Sequence, residues 1–442
     1  MKNKPVLYIV NCVDTEGPLN ETIEATFERL NSIFNITIEP TESNLIAIQQ
    51  KKIPLNGLED AVAKCFAPEL LDYNKNWSQI DAMLDEMLSE EYRAKNIDDF
   101  GGGLVYSWHC MDHVGYMTNP RHKDMGYGNI FRYYRSKLKN LASSRDEINW
   151  HFHPLSITKR PIAAATSYNN NMDLLNGIIS RRIIDEKWFP VVNRPGFHSE
   201  RPDSHLFLEQ WIPFDYANQA YENMEDQPDL LNGRFGDWRN APLSWRGYHP
   251  DHDNYQSEGR CRRLIFRCLN VGTRLRALTD EHISQAFEEA LLHGGAILAF
   301  ANHDYRDMRK DITKFSEMLF RIRAKYSEVS IKYSGAEEAI VSLNGWQGKE
   351  KIEIAASIKE NILHVELISG EVFGPQPYLA IKTKSENYLH DNFDVAICGK
   401  KWQYVFDDHT VTLDWVDKIG VGCAGKYGGY SVVNLDAPGF AN

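Results

Sequence analysis

The chain has 442 residues, of which 43% are hydrophobic and 12% aromatic, so it can bury a large core and is long enough for two domains. The formal net charge of −12 argues against nucleic acid as a partner, because nucleic acid is bound by a concentrated basic face. An acidic average still leaves room for one local basic pocket. No run of 18 apolar residues exists, which predicts that the chain has no membrane span.

The first apolar segment predicts a buried strand rather than a secretory signal. Residues 6–13 include Asn11 and run into Asp14, where a signal peptide would have an apolar stretch and a small-residue cleavage site. The seven cysteines are scattered and contain no CxxC pair, so neither a disulfide framework nor a thiolate zinc site is indicated. These features predict a protein of the reducing cytoplasm.

Up to about residue 340, short apolar runs alternate with segments of helical period, which is typical of repeated β-α units around a parallel sheet. The predicted strands are 6–13, 104–108, 148–153, 191–194, 264–269, 296–301 and 329–333. Helices with one buried stripe are predicted at 23–34, 80–88, 280–293 and 312–322. We therefore predict a distorted (β/α) barrel of about seven parallel strands over residues 1–342.

After Gly345 the pattern changes to short strands separated by turn residues, with no long helix between them. The predicted strands are 352–355, 362–367, 378–381, 394–397 and 410–413. This pattern is typical of a small antiparallel β-sandwich, which we assign to residues 348–442. For this domain we favour packing against the barrel or a second subunit over carbohydrate binding. The sequence is therefore compatible with a homo-oligomer.

Side chains that bind metals or transfer protons fall at the C-terminal ends of the predicted barrel strands, where barrel enzymes collect their catalytic groups. They are Asp14, His109, His151, His153, Arg194 and His303. Residues two apart on a strand share a face, so the pair His151 and His153 could reach one metal. Asp14 and Glu16 in VDTEG are also two apart, although such a pair taken alone is more often a cap or a solvated turn.

The order of these motifs resembles that of the polysaccharide deacetylases of the NodB-homology class, also called carbohydrate esterase family 4. VDTEG looks like the family's first motif, NWHFHP like its second, NRPG like its third and ILAFANH like its fifth. The resemblance covers roughly residues 5–341 in motif order and implies a barrel hydrolase with a divalent metal ion, zinc being favoured. It implies the following roles: catalytic residues Asp14, Arg194 and His303, and metal ligands Glu16, His151 and His153.

Two departures from the family pattern leave alternatives open. The first motif has Thr15 between its acids and Glu16 as the second, so either acid could be the base or the ligand. The position four before His153, a histidine in the family, is Asn149. Either His151 supplies the missing ligand, or Asn149 binds weakly, or the site has lost its metal.

The resemblance implies a carbohydrate substrate, specifically an N-acetylated sugar of a surface-polysaccharide precursor such as an O-antigen unit. Substrate contacts are predicted for four residues near strand ends: His109, Asp112, Trp150 and Asp215. Asp215 is also the candidate for the family's fourth motif, and Asp304 or Asp307 could orient His303. The alternatives are hydrolysis of another C–N bond, in a cyclic imide or ureide, and a non-catalytic glycan-binding barrel.

Two further histidine groups are weaker candidates for metal sites. His109 and His113 are four apart, a helical ligand spacing, but a strand precedes them and a glycine follows, so the spacing falls in a loop. His249 and His252, with Asp253, lie in a loop beside proline, where histidines are usually exposed.

Overall fold

A computed structural model describes residues 4–139, 145–161, 167–222, 236–273 and 276–437. The first part of the chain forms eight parallel strands: β1 (Val6–Thr15), β2 (Tyr106–Cys110), β3 (Glu147–Phe152), β4 (Val192–Pro195), β5 (Phe214–Asn218), β6 (Leu264–Asn270), β7 (Gly295–His303) and β8 (Ser330–Tyr333). Strands β1 to β7 pair in chain order, and β1 pairs with both β2 and β7. The first domain is therefore a closed barrel of seven parallel strands, as the sequence predicts.

The helices lie between the strands of the barrel. They are α1 (Ile23–Phe34), α2 (Glu42–Gln49), α3 (Glu59–Cys65), α4 (Pro68–Leu71), α5 (Trp77–Met87), α6 (Glu90–Arg93), α7 (Asn129–Lys139), α8 (Met172–Ile184), α9 (Pro202–Trp211), α10 (Asp280–His293), α11 (Met308–Arg323) and α12 (Ala336–Leu343). Several of them cover the outward faces of the strands, for example α11 with Ile312, Phe315 and Leu319, whereas α1, α2 and α3 bury their apolar side chains in a cluster of their own. Among the described residues, no helix is both long and apolar enough to cross a bilayer.

The barrel is distorted at β1. Its C-terminal half pairs with β2, from Asn11 beside Tyr106 onward, whereas its N-terminal half pairs with β8. On its other edge β1 pairs with β7 along its length, ending with Asp14 beside His303. The register thus brings these two residues to the same level at the C-terminal rim.

The strand predictions were incomplete. Strand β5 was not predicted, because Asp215 and Asn218 interrupt its apolar pattern; both are buried, and Asp215 pairs with Arg263 instead of facing solvent. The predicted strand 329–333 is β8, which lies beside β1 as an eighth strand rather than closing the barrel.

The C-terminal part folds into two four-stranded antiparallel sheets, as predicted. Their strands are β9 (Glu353–Lys359), β10 (Ile362–Ser369), β11 (Tyr378–Thr383), β12 (Tyr388–Asp391), β13 (Asp394–Ile397), β14 (Lys401–Val405), β15 (Val416–Ala424) and β16 (Tyr430–Asp436). The orders are β13-β14-β10-β9 and β12-β11-β15-β16, and Leu363, Trp402 and Ile419 are among the buried side chains between the sheets. The prediction of a strand at 410–413 was wrong. These residues form no strand, and a short 3₁₀ turn, Leu413–Trp415, begins at the end of that range.

One sheet of the sandwich packs on α8 of the barrel domain. A Cβ atom on Gly420 would come within 2.6 Å of Ile183, so only glycine allows this close approach. Polar contacts join the same surfaces: Tyr378 donates to the side-chain oxygen of Asn176 at 3.0 Å, and the Asn434 side chain donates to the carbonyl of Ile184 at 2.8 Å. The sandwich is thereby held away from the C-terminal rim of the barrel.

Candidate metal centre

A cleft of about 1440 Å³, including space open to solvent, lies at the C-terminal rim of the barrel. Its lining includes five of the six predicted catalytic and metal-binding residues: Asp14, Glu16, His151, His153 and His303. The sixth, Arg194, is fully buried and contacts Asp14. These side chains come from β1, β3, β4 and β7 or the residues just after them, because parallel strands end on one rim.

Glu16, His151 and His153 form the group that could hold a metal ion among the described residues, with one potential ligand atom from each lying within 4.8 Å of the others. The two Nε2 atoms of the histidines are 2.9 Å apart, and His153 Nε2 lies 3.8 Å from a carboxylate oxygen of Glu16. Two imidazoles and one carboxylate, with a position left open, are the donor set of catalytic zinc sites. Two nitrogens on one tetrahedral zinc are about 3.3 Å apart, so these residues fit a divalent metal ion.

The orientation of His151 is set by a main-chain contact. Its Nδ1 atom hydrogen-bonds the carbonyl oxygen of Arg194, so Nδ1 carries the proton and donates. The lone pair of Nε2 then points toward His153 and Glu16. A second contact that selects one tautomer in this way is typical of histidines that bind metals.

The position of His153 depends on Gly196. A Cβ atom on this glycine would lie 2.0 Å from Cδ2 of the His153 ring, closer than any side chain permits. The next two residues, Phe197 and His198, have φ values of 54° and 51°, in the left-handed region that non-glycine residues rarely adopt. The Phe197 ring packs against His153 with centroids 4.7 Å apart. This strained turn therefore seats the His153 ring.

Glu16 is held as an ionised carboxylate. Burial acts to raise its pKa, but Lys123, His153 and His303 act in the opposite direction and the pKa lies well below its usual value. One carboxylate oxygen accepts a hydrogen bond from Lys123. Burial lowers the pKa of His153 well below its usual value, so this ring is neutral near neutral pH, the protonation state that binds metals.

Asp14 and Arg194 form a buried ion pair beside the histidines. Arg194 Nε lies 2.9 Å from Oδ1 of Asp14, and His303 Nε2 lies 3.6 Å from Oδ2. Burial raises the pKa of Asp14, against the opposing influence of Arg194 and His151. Burial and the charge of Arg306 lower the pKa of His303 well below its usual value. Asp14 is thus a carboxylate with increased basicity next to a neutral imidazole.

Asp304 supports the candidate metal ligand Glu16 and does not orient His303. Its two oxygens accept hydrogen bonds from the main-chain N–H of Glu16 at 2.8 Å and of Gly17 at 3.0 Å. The Tyr134 hydroxyl also donates to it, at 2.9 Å. Asp307 caps α11 by accepting from the N–H of Arg309, so it does not orient His303 either.

The four predicted substrate contacts lie outside the cleft lining. His109 is fully buried with Nδ1 3.4 Å from the carbonyl of Trp150, whose own side chain is in the hydrophobic core. Asp112 pairs with Arg182 at 2.6 Å, and Asp215 pairs with Arg263, both in buried networks. All four side chains are buried, and none of them lines the cleft.

The remaining candidates for metal ligands lie at different places in the structure. Asn149 is buried and does not line the cleft, whereas His151 does. His113 donates from Nε2 to the Glu16 carbonyl at 2.8 Å, so it supports the loop and does not join His109 in a metal site. His252 is exposed and contacts Asp253.

Several lining residues were not predicted from the sequence. They are the cations Arg29, Arg121, Lys123, Arg276 and Arg306, and the aromatic residues Tyr73, Tyr116 and Tyr305. Most lie in loops without a recognisable motif, and only the placement of Tyr305 and Arg306 directly after ILAFANH offered a signal. No family model, curated protein or solved structure matches this chain.

Proposed function

We propose that this protein is a metal-dependent hydrolase that removes the acetyl group from an N-acetylated sugar of a surface-polysaccharide precursor. The observation that carries the proposal is the convergence of Glu16, His151 and His153 on one point, with Asp14 and His303 in the same cleft. The order of the corresponding motifs along the chain supports the choice of an amide substrate.

Glu16, His151 and His153 would hold the metal ion. When bound, a divalent ion supplies Lewis acidity, which polarises the acetyl carbonyl and makes a water molecule more acidic. Asp14 accepts the proton of the attacking water, a role that suits a carboxylate with a raised pKa. Arg194 does not contact the reacting atoms; it positions Asp14.

His303 moves a proton to the departing nitrogen. Its Nε2 atom is 3.6 Å from Asp14 Oδ2, so the proton that Asp14 takes from water can pass to the neutral imidazole. The protonated ring then donates to the amine as the C–N bond breaks, and the products are acetate and the free amino sugar. Each such proton transfer contributes roughly 10²- to 10⁴-fold to the rate.

The test is a hydrolysis assay on a panel of substrates. The purified chain is loaded with zinc, cobalt or nickel, and acetate release is measured from N-acetylated monosaccharides and oligosaccharides. A cyclic imide and a ureide complete the panel. We expect acetate release that is lost in Asp14→Asn and His303→Ala and retained in His252→Ala, an exposed histidine outside the cleft.

Two outcomes would replace the proposal. Turnover of the imide or ureide without acetate release would retain the mechanism but change the substrate class. Glycan binding without turnover of any compound, by protein that has bound metal, would identify a non-catalytic cleft. The pairing of Glu16 with Lys123 bears on metal loading, because Lys123 competes with a metal for the carboxylate.

A further inference from the structure

The cleft is rich in cations although the chain as a whole is acidic. Five lining side chains are cationic and two are carboxylates, whereas the chain has a formal net charge of −12. Some of these cations have carboxylate partners: Glu21 pairs with Arg29 and Arg121, and Glu16 pairs with Lys123. Contacts within the protein therefore balance the charges of these two arginines and this lysine.

Arg306 is different. It lies three residues after His303 and is only 4% exposed, yet its two terminal nitrogens are buried without a hydrogen-bond acceptor in the described part of the chain. A buried guanidinium without acceptors is costly, because its charge and its donors have both been removed from water. Because Arg306 lines the cleft, an acceptor on a molecule bound there could satisfy these two nitrogens.

The described residues around Arg306 do not supply such an acceptor. Asp311 on α11 is influenced by the charge of Arg306, which lowers its pKa against the effect of burial, but it accepts no hydrogen bond from the two nitrogens. The Tyr305 ring is 5.2 Å from the guanidinium carbon and presents a face, not an acceptor oxygen, at that distance. Arg276 lines the same cleft and adds a second positive charge.

We propose that Arg306 is the centre of an anion-binding subsite, and that the substrate is an N-acylated sugar with a carboxylate or a phosphate group. The identity of the ligand as a sugar rests on the proposed function; the anion subsite does not. A guanidinium binds either group through two parallel hydrogen bonds, which is stronger and more selective than a contact to a hydroxyl. Because Arg306 influences His303 electrostatically, the anionic group would lie near the general acid.

The test measures binding of sugars that the enzyme cannot hydrolyse. Calorimetric titrations compare glucose, glucuronate and glucose 1-phosphate, so the carboxylate and the phosphate are distinguished from each other and from a neutral sugar. Each titration is run on metal-free and on zinc-loaded full-length protein. We expect metal-free protein to bind at least one of the anionic sugars about tenfold or more tightly than glucose, the size of a charge-assisted hydrogen bond.

The variants assign this preference to Arg306. In Arg306→Met the anionic sugars and glucose should bind equally, whereas Arg321→Met, which removes an exposed arginine from the last turn of α11, should retain the preference. Arg306→Lys keeps the charge but loses the paired donors, so it should show a preference reduced several-fold. If Arg306→Met does not fold, Arg306→Lys provides the test.

Three results would overturn the inference. They are equal binding of all three sugars by the parent protein, an unchanged preference in the Arg306 variants, and a preference that exists only in zinc-loaded protein, which would place the anion on the metal. None of the measurements requires turnover. A protein that prefers anionic sugars but releases no acetate would retain the subsite and refute the hydrolase.

Discussion

The carbonyl oxygen of Arg194 accepts a hydrogen bond from Nδ1 of His151, while the guanidinium of the same residue lies 2.9 Å from Asp14. One residue on β4 thus orients a candidate metal ligand through its main chain and the proposed base through its side chain. The first contact does not use the side chain of residue 194, whereas the ion pair does. The two functions can therefore be separated by mutation.

Arg194→Gln is expected to lose activity and stability while it retains part of its metal affinity. The substitution leaves the carboxylate of Asp14 buried without its charged partner, which costs about 3–5 kcal/mol of the free energy of unfolding. Urea denaturation and zinc titration measure the two effects. The matched control is Arg321→Gln, at an exposed ion pair, which should leave both unchanged. Loss of zinc binding with unchanged stability would contradict this account.

His153→Ala and His151→Ala are each expected to weaken zinc binding by about 100-fold or more, since a three-residue site loses one ligand. Competition with a chromogenic chelator measures the affinity. His109→Ala tests the rival ligand pair, and it should retain zinc affinity because His109 lies outside the cleft lining. A larger loss for His109 than for His153 would show that the metal binds elsewhere.

Gly196→Ala is expected to reduce zinc affinity without removing any ligand. The new methyl group would lie 2.0 Å from the His153 ring, so the ring or the turn must move. A displacement of about 1 Å is enough to weaken a preorganised site substantially. Gly399→Ala is the control, because open space surrounds that position, although its φ of 69° introduces some backbone strain. Equal zinc affinity in Gly196→Ala and the parent would contradict the seating role of this glycine.

The raised pKa of Asp304 predicts a specific pH dependence of the free energy of unfolding. Burial raises its pKa from 3.8 to about 7, against the opposing influence of its hydrogen bonds from Glu16, Tyr134 and Gly17. The folded state therefore binds the proton more tightly than the unfolded chain. The stabilising contribution is fully present below pH 3.8 and is lost as the pH rises through about 7.

Comparison with Asp304→Asn isolates this contribution. Urea denaturation from pH 5 to pH 8.5 should show the advantage of the parent over the variant shrinking by at least about 1 kcal/mol as the pH rises. The amide cannot ionise, so groups elsewhere with raised pKa values affect both proteins equally. An advantage that stays constant, or that grows with pH, would show that Asp304 is ionised throughout this range.

Much of the barrel was predictable because its strands carry continuous apolar runs and its helices carry one buried stripe. Strand β5 was missed for the converse reason, since the partner that satisfies Asp215 is Arg263, 48 residues later in the chain. Hydrophobic periodicity and secondary-structure propensity are local properties of the sequence. A polar residue that is buried with a distant partner looks, in the sequence, like a residue of a surface loop.

The sequence by itself determined which residues stand at the ends of the strands, because the alternation of side chains places His151 and His153 on one face and the β-α pattern places every strand end on one rim. Only the tertiary structure decided which of those residues lie together: Glu16 lies with the two histidines, Asp14 with Arg194, and Asp304 beneath the loop of Glu16. It alone also showed that Arg306 is buried without an acceptor among the described residues. The reason is that partners, burial and cavities arise from contacts between distant segments, and these are set by packing in three dimensions and not by any local period.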